Sequence, residues 1–412
     1  MSLTINTRAL IDELETRAAF SGAPSPAVTR IVFSEQDSRA RAWLRQLYAE
    51  AGLQVREDAV GNTFARWPGA DPELPAVGTG SHTDAIPHSG RYDGTVGILG
   101  GLEAIRALQR SGFKPRRSIE LLMFTSEEPT RFGIGCLGSR LVSGALNPSA
   151  AAHLQDSDGK TLDEVRATAG FHGTLDSVAV KPGYYSAFVE LHIEQGPLLE
   201  RRNVPLGVVT AIAAPASLSV TIEGQGGHAG AVLMPDRHDA FLAAAEIALS
   251  VEFAALSTGA IDSVATTGVC EVFPGAVNSI PSRVRLGIDV RDIDPERRDG
   301  MLAQLDRACG EVSARRGVTA TIQTINRDSP STCDPAIINL LMAACEKHGL
   351  AFDPMVSRAY HDSLFMSRIC PTAMLFIPCR AGVSHRPDEY STPEAIGHGT
   401  LVLAETLASL AG

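Results

Sequence analysis

The pattern of apolar and polar residues at the two ends of the chain differs from the pattern in its middle. Towards both ends, short apolar runs alternate with amphipathic stretches, which is typical of an α/β protein. The pattern predicts strands and helices at Met1–Phe20 (helix), Pro75–Thr83 (strand), Thr95–Leu108 (helix), Ser118–Phe124 (strand), Tyr185–Ile193 (strand), Thr372–Ile377 (strand) and Pro393–Leu410 (helix).

The middle of the chain, residues 213–326, predicts a separate small domain. Arg283–Arg291 alternates strictly and places Val284, Leu286, Ile288 and Val290 on one face. The predicted elements follow the ferredoxin-like order β-α-β-β-α-β: Ser217–Glu223, Asp236–Val251, Ser263–Val272, Arg283–Arg291, Pro295–Arg316 and Val318–Ile325. We therefore expect a catalytic α/β domain from residues 1–212 and 327–412, with a mixed, mostly parallel sheet and helices on both faces. The ferredoxin-like α+β domain of residues 213–326 is inserted into it.

Composition narrows the class of protein and of partner. With 44% hydrophobic and 20% charged residues, the chain has the profile of a soluble globular protein. The net charge of −11 disfavours nucleic acid and anionic membranes as partners, because both would be repelled. Apolar runs such as Ile119–Phe124 are too short to span a bilayer. Seven cysteines without a paired CxxC spacing, and no signal peptide, predict reduced thiols and a cytoplasmic protein.

Polar residues with metal-binding side chains follow the predicted strands where each strand ends. They are His82 and Asp84, Asp93 in a glycine-rich turn, Glu127 and Glu128, His192, and His385. Ligands of open α/β sheets collect outside the carboxyl ends of the strands, so distant residues can meet in one cleft. A single histidine or an adjacent pair of glutamates is usually structural or solvated. All these segments together, each at a strand end, favour a metal site.

The residue types suit two divalent ions. Imidazole nitrogens and carboxylate oxygens are zinc ligands, and paired ions need a bridging carboxylate. The set His82, Asp93, Glu128, His192 and His385 supplies three histidines and two acids. Zinc fits, and manganese, cobalt or nickel would fit as well. Asp84 would then accept the free N–H of His82. Glu127 is left over and can exchange a proton with water and with a leaving nitrogen.

A second motif, Gly133–Gly138, matches the dinucleotide fingerprint GxGxxG. It does not directly follow a strand, because several residues separate it from Phe124. Glu127 and Glu128 would also repel a pyrophosphate. We interpret the motif as a glycine-rich turn that leads into a helix.

Long ordered segments along essentially the whole chain resemble a known family. They are SHTDAIPHSGRYDGTVGILGGLEAI, TSEEPTRFGIGCLGSR, LHIEQGPLLE, GGHAGAVLMPDRHDA and PGAVNSIPSRVRLGIDVRD. Together they are similar to the hydantoinase/carbamoylase amidases of the M20 metallopeptidase superfamily. The resemblance implies a metal-dependent hydrolase that acts on a C–N bond other than a peptide bond, and a homodimer built through the inserted domain.

The resemblance also implies individual roles. His82, Asp93 and His192 would bind one ion, Glu128 and His385 the other, and Asp93 would bridge them. Glu127 would be the general base and acid, and His228, in one active site or the other of the dimer, would polarise the scissile carbonyl. Asn278 and Arg291 would hold a substrate carboxylate, and Gln195 would contact the ureido or amide end.

One segment departs from the common family pattern and bears on the substrate. Many relatives read Gly-Ala-Gly-His-Asp-Ala where this chain has Arg358-Ala-Tyr-His-Asp-Ser363. His361 keeps its place, and Tyr360 would narrow the pocket in favour of a small ureido acid. The candidate substrates are ureidoglycolate, allantoate and N-carbamoyl-L-amino acids. A dipeptidase of the same superfamily and an inactive binding protein are the alternatives.

Overall fold

The computed structural model describes residues 3–412 and divides the chain into two compact units. The larger unit comprises the chain up to Thr210, Thr332–Met355 and His361–Gly412, and the smaller comprises Ala211–Ser331 and Val356–Tyr360. The predicted boundaries had left this last segment in the catalytic domain. It joins the smaller unit because the Ser357 carbonyl accepts the Ala213 N–H at 2.8 Å and Arg358 pairs with Asp262 at 2.6 Å.

The secondary structure covers most of both units. The helices are α1 (Thr7–Ala18), α2 (Glu35–Glu50), α3 (Thr95–Arg110), α4 (Leu137–Val142), α5 (Pro148–Ala152), α6 (Leu162–Thr168), α7 (Leu198–Arg202), α8 (Ala240–Ser257), α9 (Pro295–Arg316), α10 (Pro335–Lys347), α11 (Asp362–Met366) and α12 (Pro393–Ala411). The strands are β1 (Val28–Arg30), β2 (Gln54–Glu57), β3 (Thr63–Trp67), β4 (Ala76–His82), β5 (Ala85–Ser89), β6 (Ile119–Phe124), β7 (Tyr185–Ile193), β8 (Leu206–Ile212), β9 (Ala214–Glu223), β10 (Gly227–His228), β11 (Val264–Phe273), β12 (Ser279–Ile280), β13 (Arg283–Asp292), β14 (Thr319–Arg327), β15 (Ser331–Thr332), β16 (Phe352–Ser357) and β17 (Thr372–Ile377).

The larger unit is built on a nine-stranded sheet with the order β15-β8-β17-β7-β4-β6-β3-β2, and β16 pairs with β8. Its four central strands, β17, β7, β4 and β6, run parallel. Outside this centre, β8 runs antiparallel to β17, β3 runs antiparallel to β6, and β2 runs antiparallel to β3. The sheet is mixed, as predicted, but its parallel part is confined to the centre. The parallel centre is what brings four strand ends to one edge.

Helices cover both faces of this central sheet, as the sequence predicted. The consecutive residues Leu121 and Leu122 of β6 point to opposite faces. Leu121 faces α3, where Gly101 allows close approach, and α12 packs beside α3. Leu122 lies in the core on the other side, together with Leu137 of α4 and Met366 of α11. Strands buried on both faces explain the uninterrupted apolar runs of the sequence.

The smaller unit has a four-stranded antiparallel sheet with the order β11-β13-β9-β14. The elements β9, α8, β11, β13, α9 and β14 follow the predicted β-α-β-β-α-β order, and this strand order is that of the ferredoxin-like arrangement. Every second residue of β13, from Val284 to Val290, is buried in a core shared with α8 and α9.

Helix α8 differs from the expectation that the apolar segments of the chain are too short to span a bilayer. Within residues 3–412, it is the one helix that is long and apolar enough to cross a membrane by length and composition. Glu246 and Glu252 interrupt its apolar sequence, so no long uninterrupted apolar run marks this helix. Its inner face, which includes Ala243, Ile247 and Val251, packs against the unit's own sheet.

Candidate metal centre

The candidate ligands of the larger unit meet at the carboxyl edge of its parallel strands. His82 is the last residue of β4 and pairs in register with Phe124 at the end of β6. His192 lies on β7 and pairs in register with Phe376 of β17. Loops that leave these strand ends carry Asp93, Glu128 and His385. The parallel sheet thus accounts for the convergence expected from the sequence.

Asp93 lies at the centre of the cluster, and its two carboxylate oxygens face different groups. The Nε2 atoms of His82 and His192 lie 3.3 Å and 3.3 Å from Oδ1. The Nε2 of His385 lies 3.2 Å from Oδ2 and 3.3 Å from Oε1 of Glu128. Two groups of ligand atoms, each compact enough to hold one ion, therefore share Asp93. This is the arrangement that a bridging carboxylate requires.

The protonation of the two strand histidines fits metal binding. The Nδ1 of His82 lies 3.1 Å from the Asp84 carbonyl, and that of His192 lies 2.9 Å from the Ile193 carbonyl. A carbonyl can only accept, so each proton sits on Nδ1 and each Nε2 lone pair faces Asp93. An imidazole nitrogen and a carboxylate oxygen at this separation can be held together by a shared proton or by a metal ion between them. Ligands on a tetrahedral zinc-like ion lie about 3.3–3.4 Å apart, close to the separations seen here.

Glycine is required directly after the bridging acid. The backbone N–H of Gly94 donates to His192 Nε2 at 3.1 Å, and its φ is +61°. A Cβ at this position would lie 2.4 Å from ring atoms of His82. Any side chain here would displace the imidazole, so Gly94 is part of the site's geometry.

Asp84 differs from its expected role. Its main-chain carbonyl, rather than its carboxylate, lies within hydrogen-bond distance of His82 Nδ1; Oδ1 is 3.7 Å from that nitrogen. The carboxylate instead accepts two consecutive backbone N–H groups, that of Glu127 at 3.2 Å and that of Glu128 at 3.0 Å. Asp84 therefore holds the main chain of both glutamates.

The two glutamates face different neighbours. Glu128 faces His385, whereas Oε2 of Glu127 lies 3.8 Å from Nε2 of His82. Burial raises the pKa of Glu127 well above its usual value, and the Glu128 carboxylate adds to the shift while His82 opposes it. Burial and Asp93 raise the pKa of Glu128 to about 7. Burial would also raise the pKa of Asp93, but hydrogen bonds from His192, His385 and His82, which form when these imidazoles carry a second proton, outweigh it and hold that pKa well below its usual value.

Three of the candidate loops together carry four non-glycine residues in the left-handed backbone region. These residues are Ser126 (φ 58°), Cys136 (φ 55°), Gln195 (φ 56°) and His385 (φ 57°). Such conformations cost roughly 1–3 kcal/mol each and concentrate at functional sites. These left-handed residues change the direction of the main chain sharply within the loops that follow the strands.

Sequence reasoning missed a supporting layer around Asp93. Gln195 was expected at the substrate, yet its Nε2 donates to Asp93 Oδ2 at 2.7 Å, and its buried Oε1 has no hydrogen-bond partner within residues 3–412. The Ser384 hydroxyl lies within hydrogen-bond distance of Asp93 and of Glu389. Glu389 accepts the N–H groups of Tyr92 and Asp93. No local pattern marks Ser384 or Glu389, because both lie in an ordinary polar loop.

A third group of possible ligands, Glu190, His192 and His361, is better explained as a structural network. Glu190 accepts hydrogen bonds from the Ser81 hydroxyl at 2.7 Å and from the N–H and hydroxyl of Ser363. Its oxygens are therefore already used. The His361 ring is buried, and its centre lies 4.5 Å from the centre of the His192 ring. His361 therefore lies beside the candidate centre, as expected.

The remaining four predicted residues lie in the smaller unit and form two pairs. His228 and Asn278 belong to neighbouring short segments, joined by the Ala229 N–H, which donates to the Asn278 carbonyl at 2.9 Å. Nδ1 of His228 accepts the Gly230 N–H, so its ring proton lies on the outer Nε2. Arg291 pairs with Asp289 at 2.6 Å, and its guanidinium carbon lies 5.5 Å from the Tyr360 ring centre.

Comparison with known proteins places these observations in a family. Residues 78–409 match the profile of peptidase family M20/M25/M40. A ureidoglycolate hydrolase of Arabidopsis thaliana is 51% identical over 99% of this chain and 87% of its own length. An N-carbamoyl-L-amino acid amidohydrolase of Geobacillus stearothermophilus is 37% identical over 94% of both chains. The crystal structure of AtUAH in complex with glyoxylate is 50% identical, with a TM-score of 0.93 over 100% of this chain and 99% of that one.

Proposed function

Because the chain belongs to peptidase family M20/M25/M40, we propose that it hydrolyses a linear C–N bond of a small carboxylate-bearing ureido compound with two divalent ions. Ureidoglycolate is the first candidate, followed by allantoate and N-carbamoyl-L-amino acids. The names of the relatives support this chemistry. The observation that carries the proposal is the division of the Asp93 oxygens between two ligand groups, with Glu127 beside them.

The residues present fit two ions of the zinc type. His82, Asp93 and His192 would hold one, and Asp93, Glu128 and His385 the other. When bound, such ions acidify water and polarise a carbonyl oxygen. Zinc, manganese, cobalt and nickel all accept this donor set.

Glu127 is the proton carrier in this proposal. It is not needed as a ligand, and its carboxylate is buried beside the ligand set with a raised pKa. A carboxylate in such a place can accept a proton from water and pass it to the departing nitrogen. The leaving amine would otherwise depart as an anion, which is why this transfer is required.

We assign substrate recognition to individual side chains, each considered within its own unit. The buried Oε1 of Gln195 can accept an N–H of the ureido group. Arg291 would bind the substrate carboxylate, Tyr360 would limit the room next to it, and Asn278 would supply a further amide donor. The outer Nε2–H of His228 is a donor suited to a developing oxyanion. His361, whose ring lies 4.5 Å from that of His192, would contact the substrate on the side of the ligand set.

We further propose that a second copy of the chain covers an apolar surface of the smaller unit. On the outer face of α8, Leu249, Phe253 and Leu256 are 64%, 64% and 73% exposed at helical spacing. The helix packs against β11, which is an edge strand of its sheet. An exposed apolar row beside an open strand edge fits a symmetric dimer.

The test is ammonia release from ureidoglycolate, allantoate, N-carbamoyl-L-amino acids and dipeptides, each with added Zn²⁺, Mn²⁺, Co²⁺ or Ni²⁺. We expect turnover of at least one ureido acid. Glu127→Gln, which keeps the shape of the side chain, should retain bound metal and lose at least about 10³-fold in kcat. Glu164→Gln, at an exposed position of α6, should behave as the wild type. Cleavage of dipeptides alone, or near-normal turnover of Glu127→Gln, would overturn the proposal.

A further inference from the structure

We propose that Cys136 is a positioning residue that holds the Glu127 carboxylate through its thiol. The Sγ atom lies 3.4 Å from Oε1 of Glu127, and both side chains are buried. The backbone N–H of the same cysteine donates to the carbonyl of Glu127 at 2.8 Å. Cys136 thus holds Glu127 at its main chain and at its side chain. The inference rests on the proposed role of Glu127.

The backbone around Cys136 is built to make this contact. Three successive N–H groups at the start of α4 donate to three successive carbonyls after β6: Cys136 to Glu127, Leu137 to Ser126, and Gly138 to Thr125. A Cβ at Gly138 would lie 2.1 Å from Oδ1 of Asn62, so a glycine is needed for this approach. The left-handed conformation of Cys136 turns the chain into the helix at this point.

The two oxygens of the Glu127 carboxylate are thereby distinguished. Oε1 faces the thiol, and Oε2 lies 3.8 Å from His82 Nε2, on the side of the ligand set. A carboxylate that is fixed on one oxygen has a defined direction for proton transfer from the other. Displacements of about 1 Å at a reacting group can lower turnover about 100-fold.

A thiol suits this position better than a second carboxylate or a cation. It adds no charge to a pocket that already holds several acids. Burial and the neighbouring carboxylates raise the pKa of the Cys136 thiol well above its usual value, so it keeps its proton. A neutral, weak donor can orient Glu127 without removing its basicity.

Kinetics of three variants test the role, with kcat, KM, bound metal and melting temperature measured for each. Cys136→Ala should lower kcat roughly 10-fold, with KM and metal content within about twofold of the wild type. Cys136→Ser retains a donor and should recover kcat to within about threefold. Cys345→Ala, which truncates a fully buried cysteine of α10, is the control and should keep the wild-type kcat. Wild-type kcat in Cys136→Ala, no recovery in Cys136→Ser, or a loss of metal in parallel with kcat would overturn the inference.

Infrared spectroscopy tests the contact without relying on catalysis. The S–H stretching band that disappears in Cys136→Ala belongs to this thiol. In Glu127→Gln, which retains Cys136, the band should move to higher frequency because the charged acceptor is gone, whereas Glu164→Gln should leave it in place. If the frequency of the band is the same in Glu127→Gln as in the wild type, the contact is refuted. If the band responds while no ureido acid is hydrolysed, the contact stands and the proposed substrate class falls.

Discussion

Replacement of Asp84 by asparagine tests what holds the two glutamates in place. The Asp84 carboxylate is buried and accepts the N–H groups of Glu127 and Glu128 at 3.2 Å and 3.0 Å. An asparagine has one amide oxygen, so its NH₂ group must face one of the two donors. One buried N–H is then left without an acceptor, and two donors oppose each other.

The magnitude follows from those two bonds. A hydrogen bond to a buried charge contributes about 1.5–3 kcal/mol, and leaving an N–H unpaired costs a similar amount. We expect Asp84→Asn to lower the free energy of unfolding by about 2–4 kcal/mol. Because the main chain of Glu127 shifts, kcat should fall about 100-fold even when metal is saturating.

The assay measures kcat across a metal titration, together with urea unfolding. Asp334→Asn is the matched control, because Asp334 also accepts two backbone N–H groups, at the start of α10, where asparagine caps equally well. If Asp84 acted only through the ring of His82, metal affinity would fall and saturating metal would restore kcat fully. That recovery would refute the assignment of Asp84 to the backbone of the glutamates.

Four further outcomes are expected. Arg291→Ala should raise KM for carboxylate substrates about 10- to 100-fold with little change in kcat; an unchanged KM would remove it as the carboxylate clamp. Chelation should abolish turnover, and divalent ions should restore it; an active metal-free enzyme would contradict the mechanism. Light scattering should report a dimer for the wild type and a monomer for the double variant Leu249→Glu/Phe253→Glu, so a monomeric wild type would reject the α8 interface. Hydrogen bonds from Arg297 and Ser263 outweigh burial and lower the pKa of Asp292 below 3.8. The contribution of the ionised Asp292 carboxylate to the free energy of unfolding is therefore complete above about pH 3.8 and is lost as the pH falls through the lowered pKa. Asp292→Asn should thus lower the free energy of unfolding, measured in urea, by about 1–2 kcal/mol at pH 7 and by progressively less in acid.

The elements that the sequence predicted well are those with strong local signals. Tyr185–Ile193 and Thr372–Ile377 are apolar runs buried on both faces, and the strands have these bounds. Helix α9 begins after the N-cap Asp294 and ends at the left-handed Gly317, and its predicted bounds, Pro295–Arg316, are those observed. Burial and capping act within a few residues, which is why they can be read locally.

The outer strands of the large sheet could not be predicted in the same way. Gln54–Glu57 is short and largely exposed, so it lacks an apolar run. Its antiparallel pairing with Thr63–Trp67, and the pairing of Leu206–Ile212 with Thr372–Ile377, depend on partners elsewhere in the chain. A sheet that is parallel at its centre and has antiparallel strands on either side is therefore underdetermined by local pattern.

The ligand types at the candidate centre were accessible from sequence, but the second layer of contacts was not. Strand ends are predictable, so His82 and His192 could be expected at one edge. The contacts of Asp84, Gln195 and Cys136 depend on loop conformations that cannot be predicted from the residue types. Left-handed backbone at Gln195 and Cys136 is unfavourable for these residues and is imposed by the surrounding structure.

The buried charges of the candidate centre support the proposal that it binds cations. Asp84, Asp93, Glu127, Glu128 and Glu389 are five carboxylates buried in one region, and burial raises the pKa of Asp84, Glu127, Glu128 and Glu389. Buried like charges destabilise a fold unless they are protonated or compensated. Two divalent ions would offset much of this negative charge while leaving Glu127 available for a proton. The acids that make the pocket unfavourable when empty are thus the same groups that would give it affinity for metal, so folding and metal binding should be thermodynamically linked.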